Sequence, residues 1–135
     1  MECIFCKIIE GELPCYKVYE DKRVIAFLDI NPINKGHVLV VPKEHYNNLL
    51  DTPKDLLKDL VIVIQKLTPD ILEAIGAKDF NVGLNNGRAA GQIVDHVHFH
   101  VIPRFVGDNL HHWPGKTFTD EEMKRIAHNI QKSYK

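Results

Sequence analysis

The apolar positions along this chain change their period several times, and each change marks an element. In residues 2–10, Ile4, Phe5, Ile8 and Ile9 recur at helical spacing, which predicts a short amphipathic helix. After Gly11 and Pro14, residues 16–20 alternate, Asp21 and Lys22 supply a hairpin turn, and residues 23–30 form a second strand. Asn31 and Pro32 should stop regular structure, because proline lacks the backbone donor. Residues 36–41 read as a third strand, apolar enough to be buried on both faces and closed by Pro42.

The period then lengthens. Thr52 is expected as a helix N-cap, with Pro53 at the first helical position and Asp55 in the first turn. Leu56, Leu57, Leu60, Val63, Ile64 and Leu67 make one face of that helix. Pro69 either kinks it or begins another, and Gly76 ends the pattern. Residues 80–84 form a fourth strand, 85–91 a small-residue loop, and 94–103 a fifth strand. Thr119 and Glu122 have the spacing of a capping box that opens a last helix through Met123, Ile126, Ala127 and Ile130. The sum is an α+β fold in one domain over residues 1–135. It has an antiparallel sheet of about five strands, one long helix on a face, and a C-terminal helix.

Composition narrows the function. The 135 residues are 44% hydrophobic and 26% charged with a net charge of −1, ordinary for a soluble domain. The basic residues are scattered, so neither nucleic acid nor an anionic membrane is an expected partner. No basic segment followed by a long apolar stretch opens the chain, and the apolar run 60–64 is too short to cross a bilayer. A cytoplasmic, reducing location is therefore expected, with the three cysteines not paired in disulfides. Cys3 and Cys6 form a C-x-x-C pair, either a redox motif or half of a zinc site.

Of eight histidines, His96, His98 and His100 fall within five positions, and they locate the chemistry. On a strand they would project from one face while Val97, Phe99 and Val101 face the core. Two readings compete. In one, neutral His98 attacks phosphorus as a nucleophile and its neighbours steady the phosphate charge. In the other, the three imidazoles are ligands of a metal that activates water. The second lacks a carboxylate partner nearby, since Asp95 points to the opposite face. The preceding loop suits phosphate: Asn85, Gly87, Gly91 and Gln92 offer amides and close backbone approach, and Arg88 offers a cation.

HVHFHVI resembles the signature of the histidine-triad superfamily, and CIFCKIIEGELP, AFLDINP, GHVLVVPKEH and GQIVDHVHFH match it in order. The chain is similar to the histidine-triad nucleotide-binding proteins, a branch that includes nucleoside phosphoramidases and dinucleoside polyphosphate hydrolases. The resemblance implies that His98 takes a nucleoside monophosphoryl group and that water then releases the monophosphate. His100 would bind phosphoryl oxygens and assist proton delivery, Gln92 would contact the scissile bridge, and Asn85 the α-phosphate. Asp29 would hold the ribose hydroxyls, and Ile4, Phe5, Ile8, Leu13, Phe27 and Ile30 would form the slot for a purine base.

The resemblance also implies a homodimer, in which the long helix and fourth-strand region pair across a two-fold axis. Trp113 would approach the partner's site. By similarity to some bacterial members and to galactose-1-phosphate uridylyltransferases, Cys3, Cys6, His45 and His96 would bind a structural zinc. Cys15 is left over and reads as packing. One departure stands out: Ile93 occupies the place of a serine usual in the phosphoramidases, which shifts weight toward polyphosphate or nucleotidyl substrates. The rival readings are a non-catalytic nucleotide sensor or scaffold, and the metal-dependent hydrolase.

Overall fold

The structure is a computed structural model and describes residues 2–133; Met1, Tyr134 and Lys135, the ends of the range expected as one domain, lie outside the described residues. Helix α1 spans Ile4–Ile9 and is followed by strands β1 (Lys17–Glu20), β2 (Val24–Leu28) and β3 (Val38–Pro42). Helix α2 covers Lys54–Ile75, then β4 covers Asp79–Leu84, β5 Phe99–Arg104 and helix α3 Asp120–Ser133. The strands form a single antiparallel five-stranded sheet in the order β1-β2-β3-β5-β4. The α+β fold is thus as the patterning predicts.

Strand parity explains the two layers. Val24 and Ala26 on β2, Val38 and Val40 on β3, and Val101 on β5 face α2, which buries Leu56, Leu60, Val63, Ile64, Leu67 and Ile71 against them. A fully buried leucine such as Leu60 contributes about 1.5–3 kcal/mol through removal of apolar surface from water. The intervening residues Ile25, Phe27, Leu39 and Val41 pack on the other face with Cys3 and Phe5 from the N-terminal segment. Both faces of β2 and β3 are covered, which is why those strands read as continuous apolar runs. Cys15 packs against this second cluster, as expected of a structural thiol.

Three local expectations change. Thr52 is not the cap of α2: its hydroxyl donates to the Asn48 carbonyl at 2.6 Å, closing the short 3-10 turn Leu49–Asp51, and Pro53 takes the N-cap position. Pro69 neither ends nor restarts the helix, which runs unbroken to Gly76. The fifth strand begins at Phe99, not at residue 94, because the preceding backbone bonds elsewhere; the Val97 amide donates to the Tyr46 carbonyl at 2.7 Å. The capping box forms as expected, with the Glu122 amide on the Thr119 hydroxyl and the Thr119 amide on the Glu122 carboxylate.

No helix among the described residues is long and apolar enough to cross a membrane. Strand β4 is an edge of the sheet, with Phe80 and Val82 exposed on it, and α3 buries none of its side chains.

Candidate active site

The histidines do not line an open surface, as the strand reading had them. Their face of the sheet is the one that α1 covers, so His96 and His98 are buried and His100 half-buried. Phe5 stands edge-on to His98, ring centroids 5.0 Å apart at 90°. His100 is the second residue of β5 and pairs with Leu39 on β3 and with Gly83 on β4. Gly83 has no side chain, so the space beside His100 stays free.

Hydrogen bonds fix the state of each ring. The His98 Nδ1–H donates to its neighbour's carbonyl, His96 O, at 2.7 Å, which leaves the lone pair on Nε2. Nε2 makes no hydrogen bond among the described residues. His37, a residue that sequence reasoning missed, is fully buried, and its Nδ1 accepts the Ile33 amide at 3.0 Å. Its proton therefore sits on Nε2 and is donated to His100 Nδ1 at 2.9 Å. That places the proton of neutral His100 on Nε2, a buried nitrogen with no partner among the described residues. The site thus pairs a free lone pair on His98 with a free N–H donor on His100, ring centroids 4.9 Å apart.

Burial keeps these rings neutral. It lowers the His37 and His98 imidazoles below the usual range, and with the neighbouring His98 and His37 it pushes His100 down to about 4. Asp29 follows β2, half-buried; one oxygen accepts the Asn31 amide at 2.8 Å and the other lies 3.7 Å from His37 Nε2. The signal for His37 was available: it is the one strongly polar side chain in the apolar run 36–41.

The loop before β5 is built differently from its sequence reading. Gly87 and Gly91 take φ of +91° and +92°, which only glycine adopts at little cost. The amides of Ala90, Gly91 and Gln92 bond to carbonyls within the loop. Arg88 is no free cation: its guanidinium donates to the carbonyls of Gln92 at 2.9 Å and Ile93 at 2.6 Å and pairs with exposed Asp95 at 3.3 Å. The Gln92 side chain is buried and turned into the protein, donating to the Asn47 carbonyl at 2.6 Å and the Val94 carbonyl at 3.1 Å. Its oxygen accepts the Gly87 amide at 2.8 Å. Asn85 keeps its side-chain amide free of such bonds and lines, with His100, Asn81, Arg104, His111 and Trp113, a cleft of about 670 Å³.

Of the residues expected to hold a base, Phe5 and Phe27 are core, their rings packed edge to face at 5.5 Å. Ile8 is half-buried, while Ile4, Leu13 and Ile30 present apolar surface to solvent. Trp113 and Ile93 are exposed.

Behind the histidines, Cys3, Cys6, His45 and His96 bring one ligand atom each to within 4.8 Å of one another. The His96 Nε2–H donates to the Pro42 carbonyl at 2.8 Å, so its Nδ1 lone pair points at the cluster. There it meets His45 Nδ1 at 3.1 Å, Cys3 Sγ at 3.4 Å and Cys6 Sγ at 3.6 Å. Such separations suit the edges of a tetrahedron with ligands roughly 2.0–2.3 Å from its centre. Burial and the neighbouring Cys3 push the Cys6 thiol up to about 11, so a thiolate there needs a cation beside it. The donor set and its convergence fit a soft divalent metal. The three histidines of the run do not converge on one another: His96 faces this cluster, His98 donates to a carbonyl, and His100 is paired with His37.

Comparison with known proteins places this geometry. Residues 10–107 match the model of the HIT domain. The chain is 42% identical over 142 residues, covering 100% of both chains, to adenosine 5′-monophosphoramidase hnt1 of Schizosaccharomyces pombe. Among solved structures it is similar to SMU.412c from Streptococcus mutans UA159, at 39% identity and a TM-score of 0.92, over 99% of this chain and 86% of that one. A Zn-bound histidine triad family protein from Mycobacterium smegmatis matches at 36% identity and a TM-score of 0.78, over 100% and 99% of the two chains. Fold, alternating histidines and full-length relatedness agree, and the chain belongs to the HIT-domain family.

Proposed function

We propose that this chain is a nucleotide hydrolase or transferase that cleaves a nucleoside 5′-monophosphate from a phosphate, polyphosphate or amine leaving group. The observation that carries the reading is the bond from His98 Nδ1–H to His96 O, which presents a neutral Nε2 lone pair as nucleophile. Nε2 attacks the α-phosphorus, and the bond to the leaving group breaks with its electron pair. The leaving group takes a proton from solvent, while the free His100 Nε2–H hydrogen-bonds the oxygens that carry the developing charge. Water then attacks the nucleotidyl-His98 adduct and gives up a proton to solvent, the P–N bond breaks, the pair returns to Nε2, and the monophosphate departs.

Asn85 supplies a further donor at the cleft, and Asp29 is an acceptor suited to two ribose hydroxyls. Ile8 and Ile30, with the edges of Phe5 and Phe27, would border the base of a purine nucleotide. The activity in the name of the S. pombe relative supports this chemistry. Exposed Ile93 offers the leaving group no hydroxyl, which favours polyphosphate over amine substrates.

The cluster of Cys3, Cys6, His45 and His96 would hold zinc, closed by four protein ligands and so structural in kind; the Zn-bound relative supports that identity. A homodimer is supported by the β4 edge and by the apolar side of α3, the first unpaired and the second uncovered among the described residues. Incubation with an adenosine phosphoramidate and with diadenosine tetraphosphate, alongside His98→Asn, tests the function. AMP release by the wild type and not the variant supports it. Tight AMP binding without release from either substrate would favour a sensor.

A further inference from the structure

The metal cluster and the nucleotide site share more than a neighbourhood. With His45 Nδ1 directed into the cluster, the proton of neutral His45 rests on Nε2, 3.3 Å from Asn47 Oδ1. The main-chain carbonyl of the same Asn47 accepts the Gln92 amide at 2.6 Å, and Gln92 Oε1 accepts the Gly87 amide at 2.8 Å. A parallel tie runs beside it, from the Leu49 amide to Asn86 Oδ1 at 2.8 Å. The segment that carries one cluster ligand therefore holds the loop of Asn85 by two points. A second ligand, His96, gives its Nδ1 to the cluster and its carbonyl to the nucleophile.

We infer that metal occupancy of the Cys3–Cys6–His45–His96 cluster and nucleotide occupancy of the His98 site are thermodynamically coupled, with Gln92 as the positioning residue that carries the coupling. The inference rests on the nucleotide and metal readings above. A cation draws together the His45 and His96 nitrogens, 3.1 Å apart. Without it His45 Nδ1 is held there only by hydrogen bonds, with His96 Nδ1 at 3.1 Å and the Cys6 thiol at 3.4 Å, and His45 is freer to shift, taking Asn47 with it. The strap then holds the loop less firmly, and Asn85 must be ordered at the expense of binding energy. Because coupling between two sites is reciprocal, the nucleotide must tighten the metal by the factor that the metal tightens the nucleotide.

The test uses zinc and AMP as probes. Each is first titrated alone, AMP on the zinc-loaded protein by calorimetry and zinc by competition with a chromophoric chelator. The zinc competition is then repeated with saturating AMP, for the wild type and for Gln92→Ala. We expect AMP to tighten zinc by about tenfold, inside the usual range for coupled sites. In Gln92→Ala, with its fold checked by circular dichroism, the factor should fall toward one. Unchanged zinc affinity in the wild type overturns the inference. So does a full factor in Gln92→Ala, which would assign the coupling to the Leu49–Asn86 tie, to His96 or to global folding and not to Gln92. Failure of either probe to bind alone removes the reading beneath the inference, and the single titrations show which.

Discussion

The carbonyl of His96 accepts the Nδ1–H of His98 at 2.7 Å, so one residue serves the cluster with its ring and the proposed nucleophile with its backbone. A main-chain acceptor cannot be removed by substitution, and it selects one tautomer of His98 regardless of what fills the site.

If His98 is the nucleophile, His98→Asn should lower AMP release by about 10⁴-fold, since removal of a nucleophile abolishes the whole covalent route. Calorimetry should still detect AMP, because Asp29, Asn85 and His100 remain in place. Loss of binding together with turnover would instead place His98 among the structural residues.

His37→Ala should destabilise the protein and slow it. The substitution leaves His100 Nδ1 and the Ile33 amide unpaired in a partly buried place, a cost of about 1–3 kcal/mol. It also frees the His100 proton to move to Nδ1, so kcat should fall more than KM rises. Urea unfolding and steady-state kinetics measure the two effects separately.

Part of this site was legible in the chain and part was not. The alternation His96, His98, His100 announced the chemistry, and the apolar residues between them fixed the side of the sheet. Their burial was not legible, because it depends on α1 folding back over β2 and β3 from far away in sequence. His37 went unnoticed because a lone histidine in an apolar run reads as core, and its meaning lies in a ring 63 positions away. Gln92 and Arg88 have the residue types of phosphate ligands, yet their partners are backbone carbonyls that no spacing rule reveals. The Cys3–Cys6 pair is legible from its spacing, whereas its grouping with His45 and His96 comes through resemblance, since those separations are too long for a spacing argument.

Cys3→Ser should reduce bound zinc, measured by atomic emission, from about one per chain to a small fraction. The melting temperature should drop by roughly 3–4 °C for each kcal/mol lost. Turnover at saturating substrate should persist in part. Abolished chemistry with unchanged stability would contradict a structural role for the cluster.

Acid should weaken the fold before it reaches the carboxylates. His100 is held down to about 4 by burial and its histidine neighbours, while an unfolded imidazole titrates near 6.5. The unfolded chain therefore binds a proton that the folded chain excludes, and its contribution to stability is full above about pH 6.5. That contribution is lost as the pH falls toward 4. Urea midpoints should drop across this window, and His100→Gln should flatten the drop.

The covalent route is tested most directly by the stereochemistry at phosphorus. Wild-type enzyme would hydrolyse an adenosine substrate whose α-phosphorus is a chiral phosphorothioate, in isotopically labelled water, and the configuration of the product would be read by phosphorus NMR. Two displacements, first by His98 Nε2 and then by water, predict overall retention. Inversion would show a single direct attack by water and would contradict a nucleotidyl-His98 intermediate.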